Sequence, residues 1–280
     1  MTLDPVAANR AAWNAVTPVH QAHKAEQASF LAAGGTTLFE EEVELLGTLA
    51  DADVLHLMCN CGQDTLSIAQ SGARVTGIDV SDAAIAAAVA LSRASGLPGR
   101  FLRAEVFEGL STLADATFDV VFLSYGALGW IADARGLFAA AARVLRPGGR
   151  LVVVEFHPLV DAIADDGSID GHYGGPPIVA NEGVGDYVGA SGAALAPSGF
   201  VASAPPAPTG TTVWFPHTTA SLLQGVVDAG LQLTAVREWC HSNGWRPFPT
   251  LEAGADRRHR WPAGGPVLPL MLGFVGVKSN

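Results

Sequence analysis

Small or polar residues stand at the ends of four successive apolar runs, and their types suit a nucleoside ligand. The run "VLHLMC" from Val54 gives way to Cys59, Asn60 and Gly62 before "DTLSIA". The next, "ARVTGIDV", ends on Asp79, with Val80 beside it. An acid roughly 20 residues beyond a glycine-bearing turn is placed to accept two hydrogen bonds from ribose hydroxyls. The third run, "RFLRAEV", delivers Glu105, followed by Val106, toward an adenine amino group, and "FDVVFLSY" brings Ser124 and Tyr125 to the same rim. A diphosphate binder spends two or three glycines at the first junction, so that backbone N–H groups approach unobstructed. Here Met58 and Asn60 stand beside the lone Gly62, and a smaller ligand without a diphosphate tolerates that loop better.

Four strand ends make one site only if the strands run side by side in one direction. Strands alternating with ten-to-sixteen-residue helices from about 48 to 156 imply an α/β fold with helices on both faces of a parallel sheet. Ser81 and Gly96 bracket one such helix, as N-cap and stop. Residues 1–47 read as helical, broken at Pro18 and at the Gly34–Gly35 turn. Residues 158–212 are crowded with Gly, Pro, Asp and Ala, as in "YGGPP" and "ASAPPAPTG". A stretch of that kind inside an enzyme is more often a substrate-covering insertion than an idle loop. The helix "HTTASLLQGVVDAG" and the strands "LQLTAVREW" and "VLPLMLGFVGVK" follow. The reading is one domain over 1–280: a flap (1–47), a ligand-binding core (48–157), an insertion (158–212) and a C-terminal part that completes the sheet (213–280).

Bulk properties exclude other classes. A net charge of −11 in 280 residues repels a nucleic-acid backbone. The first residues lack the basic-then-apolar order of a secretory leader, and no apolar run reaches the ~18 residues that span a bilayer. Three cysteines build no disulfide framework, which points to a reducing cytoplasm.

The chain resembles the class I S-adenosylmethionine (SAM)-dependent methyltransferases. Their first motif, V-L-D-L-G-C-G-x-G, matches at Val54, Leu55, Leu57, Cys59 and Gly62; "GIDVS" matches the acid after the second strand; and Arg143–Leu151 carry R-V-L-R-P-G-G-R-L. It is also similar to a bacterial branch with L-H-L-x-C-x-x-G-Q-D-T, W-N near the N-terminus (Trp13, Asn14), H-P after the fifth strand (His157, Pro158) and "WFPH" (Trp214–His217). His56 and Met58 depart from the usual Asp and Gly. The resemblance implies a Rossmann-like sheet of seven strands, SAM as methyl donor with S-adenosylhomocysteine (SAH) as product, no metal, and a small-molecule acceptor methylated at O, N or C, in natural-product tailoring. A homodimer is the assembly it leaves open. Two rivals stand beside it: a SAM-binding protein without catalysis, and an NAD(P)-dependent oxidoreductase of similar topology.

Within that frame Cys59, Asn60, Gly62, Asp79, Val80, Glu105, Val106, Ser124 and Tyr125 are the expected cofactor contacts, with Trp13 and His20 closing over it from the flap. His157 is the candidate general base, Glu155 its partner on the same strand face, and His217 a further catalytic candidate. The plain alternative for His157 is a strand-end scaffold. Tyr173, Tyr187, Trp214 and Trp245 are expected against the acceptor, or else they form the insertion's own core. Cys59 and Cys61, with Cys240 and His241, fall short of the paired spacing of a zinc site. Arg257–Arg260, with Arg246, either hold an anionic substrate group or are solvated charge.

Overall fold

The computed structural model describes residues 3–164, 168, 169, 171, 173–202 and 204–280. Three helices come first: α1 (Pro5–Ala22), α2 (Gln27–Ala32) and α3 (Glu40–Leu46). The alternating core follows as β1 (Asp53–Leu57), α4 (Gln63–Ala69), β2 (Arg74–Asp79), α5 (Asp82–Ser95), β3 (Arg100–Arg103), α6 (Val106–Ser111), β4 (Phe118–Ser124), α7 (Ala134–Val144) and β5 (Leu145–Phe156). Helix α5 starts and stops as its sequence dictates: the Ser81 hydroxyl accepts Ala84 N–H, and Gly96 closes the helix at φ 73°. Pro18 does not break α1. The helix runs through it, held by buried Ala12, Val16 and Val19 on one face, while the Thr17 hydroxyl donates to Trp13 O at 2.7 Å.

After β5 come β6 (Ile178–Ala180), the one-turn α8 (Tyr187–Ser191), β7 (Thr212–Trp214), α9 (Thr219–Asp228) and β8 (Leu231–Trp239). Then β9 (His241–Asn243), β10 (Glu252–Ala253), β11 (Arg258–Arg260) and β12 (Met271–Lys278) close the chain. The main sheet has seven strands in the order β3-β2-β1-β4-β5-β12-β8, parallel through β5 and antiparallel at β12. Strands β9–β11 form a separate three-stranded sheet that the sequence reading did not expect, and β6 pairs with β7.

The parallel strands are apolar on both faces because helices cover both. Alternate residues divide the core: Leu55, Leu57, Val121, Leu123 and Val153 pack on one side of the sheet, Val54, Val120, Phe122, Val152 and Val154 on the other. Strand order reverses between β1 and β4, so their following loops diverge and leave a crevice at the carboxyl edge.

Candidate active site

A cavity of ≈ 420 Å³ opens at that crevice. The loop from β1 to α4 forms its floor in an uncommon backbone conformation, with Met58 at φ 56° and Asn60 at φ 48°. Cys59 N–H donates to Ile78 O at 2.9 Å, and Asn60 N–H to the Asp79 carboxylate at 2.8 Å, so the second strand fixes the loop. Gly62 is not on the cavity wall. At φ 76°, a Cβ there would sit 2.8 Å from the Phe101 ring and 2.9 Å from Ala88, so only glycine lets α4 approach β3 and α5.

Cys59, Asn60, Asp79, Val80, Glu105, Val106, Ser124 and Tyr125 all line the cavity. The other Asp79 oxygen accepts Ser81 N–H at 2.8 Å. Burial pushes the Asp79 pKa up, against the N–H groups of Ser81 and Asn60. Val80 N–H also bonds the carboxylate, so three N–H groups leave one of its four lone-pair sites open. Glu105 caps α6 through one oxygen, accepting Phe107 N–H at 2.8 Å and Glu108 N–H at 3.1 Å. Among the described residues its second oxygen has no protein partner. His56, where the resemblance expects an acid, is buried, and burial lowers its pKa to about 4. As a neutral ring it joins Thr65 Oγ1 at 2.8 Å and Ser124 Oγ at 3.3 Å, linking β1, α4 and β4.

The three catalytic candidates differ in what their polar atoms are doing. Glu155 is buried, and its carboxylate accepts N–H groups from Gly126, Ala127 at 2.8 Å, Leu128 at 3.0 Å and Phe156 at 2.8 Å. Burial pushes its pKa up and those four donors pull it down, with a net rise. It organises the turn after β4. His157 does not bond to Glu155 among the described residues: its Nδ1 accepts Leu159 N–H at 3.1 Å, which leaves Nε2–H to donate to Glu238 at 2.9 Å. Burial lowers its pKa against the Glu238 charge. His217 precedes α9, with Nε2 2.9 Å from Ile131 O and 3.1 Å from Leu128 O. Two carbonyls can only accept, so Nε2 carries a proton, and in the neutral ring Nδ1 carries the lone pair. Among the described residues Nδ1 has no partner, and His217 lines the cavity.

The N-terminal helices and the insertion close the opposite wall. Trp13 packs edge-on to Trp130 (5.6 Å) and Tyr187 (6.3 Å), and Trp130 to Trp214 (5.0 Å); all four line the cavity. Trp214 leans on Gly129, where a Cβ would meet its ring at 2.0 Å, and donates Nε1–H to Asp161 at 3.0 Å. His20 sits behind this wall, against Tyr187 and 3.0 Å from Gly185 O; burial lowers its pKa to about 4. Asn9 and Val213 exchange two hydrogen bonds, tying α1 to β7. His23 faces Val201 O at 2.6 Å and Asp186 at 2.7 Å, two acceptors that require a doubly protonated ring. Burial opposes that charge, but both bonds outweigh it and raise the pKa. Trp245 lines the cavity beside Phe156, whereas exposed Tyr173 is off the wall and accepts Thr219 N–H at 3.2 Å.

Sequence reasoning missed Lys24, Gln63 and Asp64 on the wall. Asp64 accepts the Thr37 hydroxyl at 2.6 Å, which leaves its second oxygen. Lys24 lies near Cys61 and Asp64; burial lowers its pKa, and no hydrogen bond or ion pair holds its ammonium among the described residues. Gln63 and Asp64 stand in the G-Q-D-T motif, a usable signal; Lys24 has none. Burial raises both thiols of the C-x-C pair, Cys61 to about 12, which keeps them protonated. Among the described residues no group of three His, Cys, Asp or Glu side chains is placed to hold a metal, and no helix is long and apolar enough to cross a membrane.

Comparison with known proteins agrees with this geometry. Residues 54–149 match the family described as a methyltransferase domain. A demethylmenaquinone methyltransferase of Tropheryma whipplei is 35% identical over 116 residues, 41% of this chain and 46% of that one. An S-adenosyl-L-methionine-dependent Diels-Alderase, iccD, of Talaromyces variabilis is 33% identical over 129 residues, 44% of each chain. The chain thus spans about half the length of the curated relatives it matches. Among solved structures, the [4+2]-cyclase SpnF has a TM-score of 0.59 at 16% identity, covering 100% of this chain and 98% of that one. A putative SAM-dependent methyltransferase of Listeria monocytogenes has a TM-score of 0.56 at 19% identity, covering 89% and 100%. Residues 54–149 therefore carry the sequence of a methyltransferase domain, and the chain as a whole is similar in fold to SAM-dependent methyltransferases.

Proposed function

We propose that this protein binds SAM in the cavity at the carboxyl edge of its sheet and transfers the methyl group to a small-molecule acceptor. The observation that carries the reading is the charge pattern along the cavity floor. Asp79 and Glu105 keep free lone pairs where a ribose and an adenine amino group would meet them. Asp64 and Lys24, whose ammonium has no partner among the described residues, offer one charge of each sign to an amino-acid tail. The same pattern argues against NAD(P), because Asp64 in the first turn of α4 would repel a diphosphate there.

SAM bound in this way supplies an electrophilic methyl on a sulfonium. The chain's own residues would orient the two reactants and exclude water. Trp13, Trp130, Tyr187 and Trp214 support the second task as an apolar wall. Where the acceptor must lose a proton, His217 Nδ1 is, of the three catalytic candidates, the one that keeps a free lone pair among the described residues. Glu155 and His157 are committed to the scaffold that holds the turn after β4 and the end of β5.

A second reading, cyclisation with SAM as a structural ligand, comes from the names of the two cyclase relatives and is favoured by the commitment of Glu155 and His157. Titration of SAH and of NAD into the protein tests the binding. Incubation with isotopically labelled SAM and a panel of phenols, carboxylic acids and amines tests the transfer. No SAH binding would overturn both readings; SAH binding without any label transfer would favour the second.

A further inference from the structure

Five side chains make one continuous band along the cavity wall. The Arg257 guanidinium lies 4.0 Å above the Phe39 ring. Phe39 meets Tyr125 at 6.2 Å, Tyr125 meets Phe156 at 5.5 Å, and Phe156 meets Trp245 at 4.5 Å between ring centroids. All five line the cavity. They come from the N-cap of α3, the ends of β4 and β5, the turn after β9 and the approach to β11, so only the tertiary fold joins them.

The arginine cluster of the C-terminal part divides sharply. Arg258 is paired with Glu40, Glu41 and Asp256, and Arg260 with Asp256. Arg257 makes no ion pair among the described residues. Its Nη2 donates to Thr37 O at 3.0 Å and Leu38 O at 3.3 Å. Among the described residues its Nε and Nη1 have no hydrogen bond, and neither is among the buried atoms left without a partner. Asp64 and Glu42 lie near enough to act on the guanidinium charge but neither touches it, and burial still lowers its pKa; an anion brought by a ligand into direct contact relieves that cost through charge-assisted bonds. Aromatic rings beside it favour a ligand that presents a π-face and edge.

We propose that this band is the acceptor subsite and that it selects an aromatic carboxylate, with the rings against its body and Arg257 on its carboxyl group. Calling the bound acid an acceptor rests on the methyl-transfer reading; its recognition does not. A carboxylate also ends the methionyl tail of SAM, so the test must separate the two sources.

Benzoate and its neutral isostere benzamide are titrated into SAH-saturated protein, wild type and Arg257→Gln, with calorimetry as the readout. The wild type is expected to prefer benzoate by at least ~10-fold, the scale of one charge-assisted hydrogen bond. Arg257→Gln should erase the preference while leaving benzamide binding and the melting temperature in place; Arg257→Lys, which keeps charge without the fork, should retain part of it. No preference in the wild type, or a preference that survives in Arg257→Gln, overturns the proposal. In the second arm, loss of SAH affinity in Arg257→Gln with 5′-methylthioadenosine affinity unchanged would assign the guanidinium to the methionyl tail and overturn the acceptor subsite. Should wild-type SAH binding itself fail, the methyl-transfer reading falls separately, and the benzoate preference is then read on the free protein.

Discussion

The carboxylate of Asp79 accepts the amide N–H of Asn60 at 2.8 Å, so the acid at the end of β2 holds the loop after β1 as well as facing the cavity. Asp79→Asn turns one of its two acceptors into a donor that faces another N–H. We expect SAH affinity to fall by about 1–3 kcal/mol, the cost of a lost bond to a charged acceptor. Calorimetric titration of SAH, read beside the melting temperature, separates binding from loop stability. An unchanged dissociation constant would remove Asp79 from the ribose.

Lys24 lines the cavity near Asp64, and among the described residues no hydrogen bond or ion pair holds its ammonium. Lys24→Met should weaken SAH by about 1.5–3 kcal/mol through loss of a charged hydrogen bond. It should leave 5′-methylthioadenosine, which lacks the amino-acid tail, unaffected. Equal losses for the two ligands would place Lys24 elsewhere.

His217→Gln preserves an amide donor for Leu128 O and Ile131 O, but its amide oxygen, though an acceptor, is not basic enough to take a proton as Nδ1 can. With an acceptor that carries a dissociable proton, turnover should drop by about 10²–10⁴-fold, the usual contribution of a positioned base. SAH affinity should not change. Wild-type turnover in this variant would show that no base acts at this position.

Glu41 anchors α3 to the small sheet through His241 at 2.7 Å, Asn243 at 3.0 Å and Arg258 at 2.9 Å. Burial raises its pKa, but the bonds to His241 and Arg258 outweigh this and bring it from 4.5 to about 2. A depressed carboxylate stabilises the fold above its unfolded pKa, and that contribution is lost as pH falls from about 4.5 toward about 2. The shift corresponds to about 3 kcal/mol. Denaturant titrations across that window should show the decline in the wild type and a flatter profile in Glu41→Gln; parallel profiles would contradict the assignment.

The alternation of strands and helices in the core and the cavity's position at the carboxyl edge were legible because local chemistry dictates them. Apolar runs such as "DVLHL" must be buried, Ser81 and Gly96 cap their helix, and parallel strands with helical crossovers put their loops on one edge. By the same logic Asp79, Glu105 and Ser124, each at or just past a strand end, could be assigned to the rim from their positions alone. Pro18 was misread as a break because its local cost is visible in the sequence, whereas the packing of Val16 and Val19 that offsets it is not. The β9–β11 sheet was missed because strands of two or three residues carry no periodicity.

The sequence by itself therefore determined the alternating core, the edge that carries the cavity and the acids that line it. Only the tertiary structure decided which polar groups remain free. Glu155 and His157 spend their capacity on Gly126, Ala127, Leu128, Leu159 and Glu238, while among the described residues His217 keeps one nitrogen without a partner and Arg257 two. Residue type fixes how many hydrogen bonds a side chain makes, but which are already taken depends on neighbours distant in the chain.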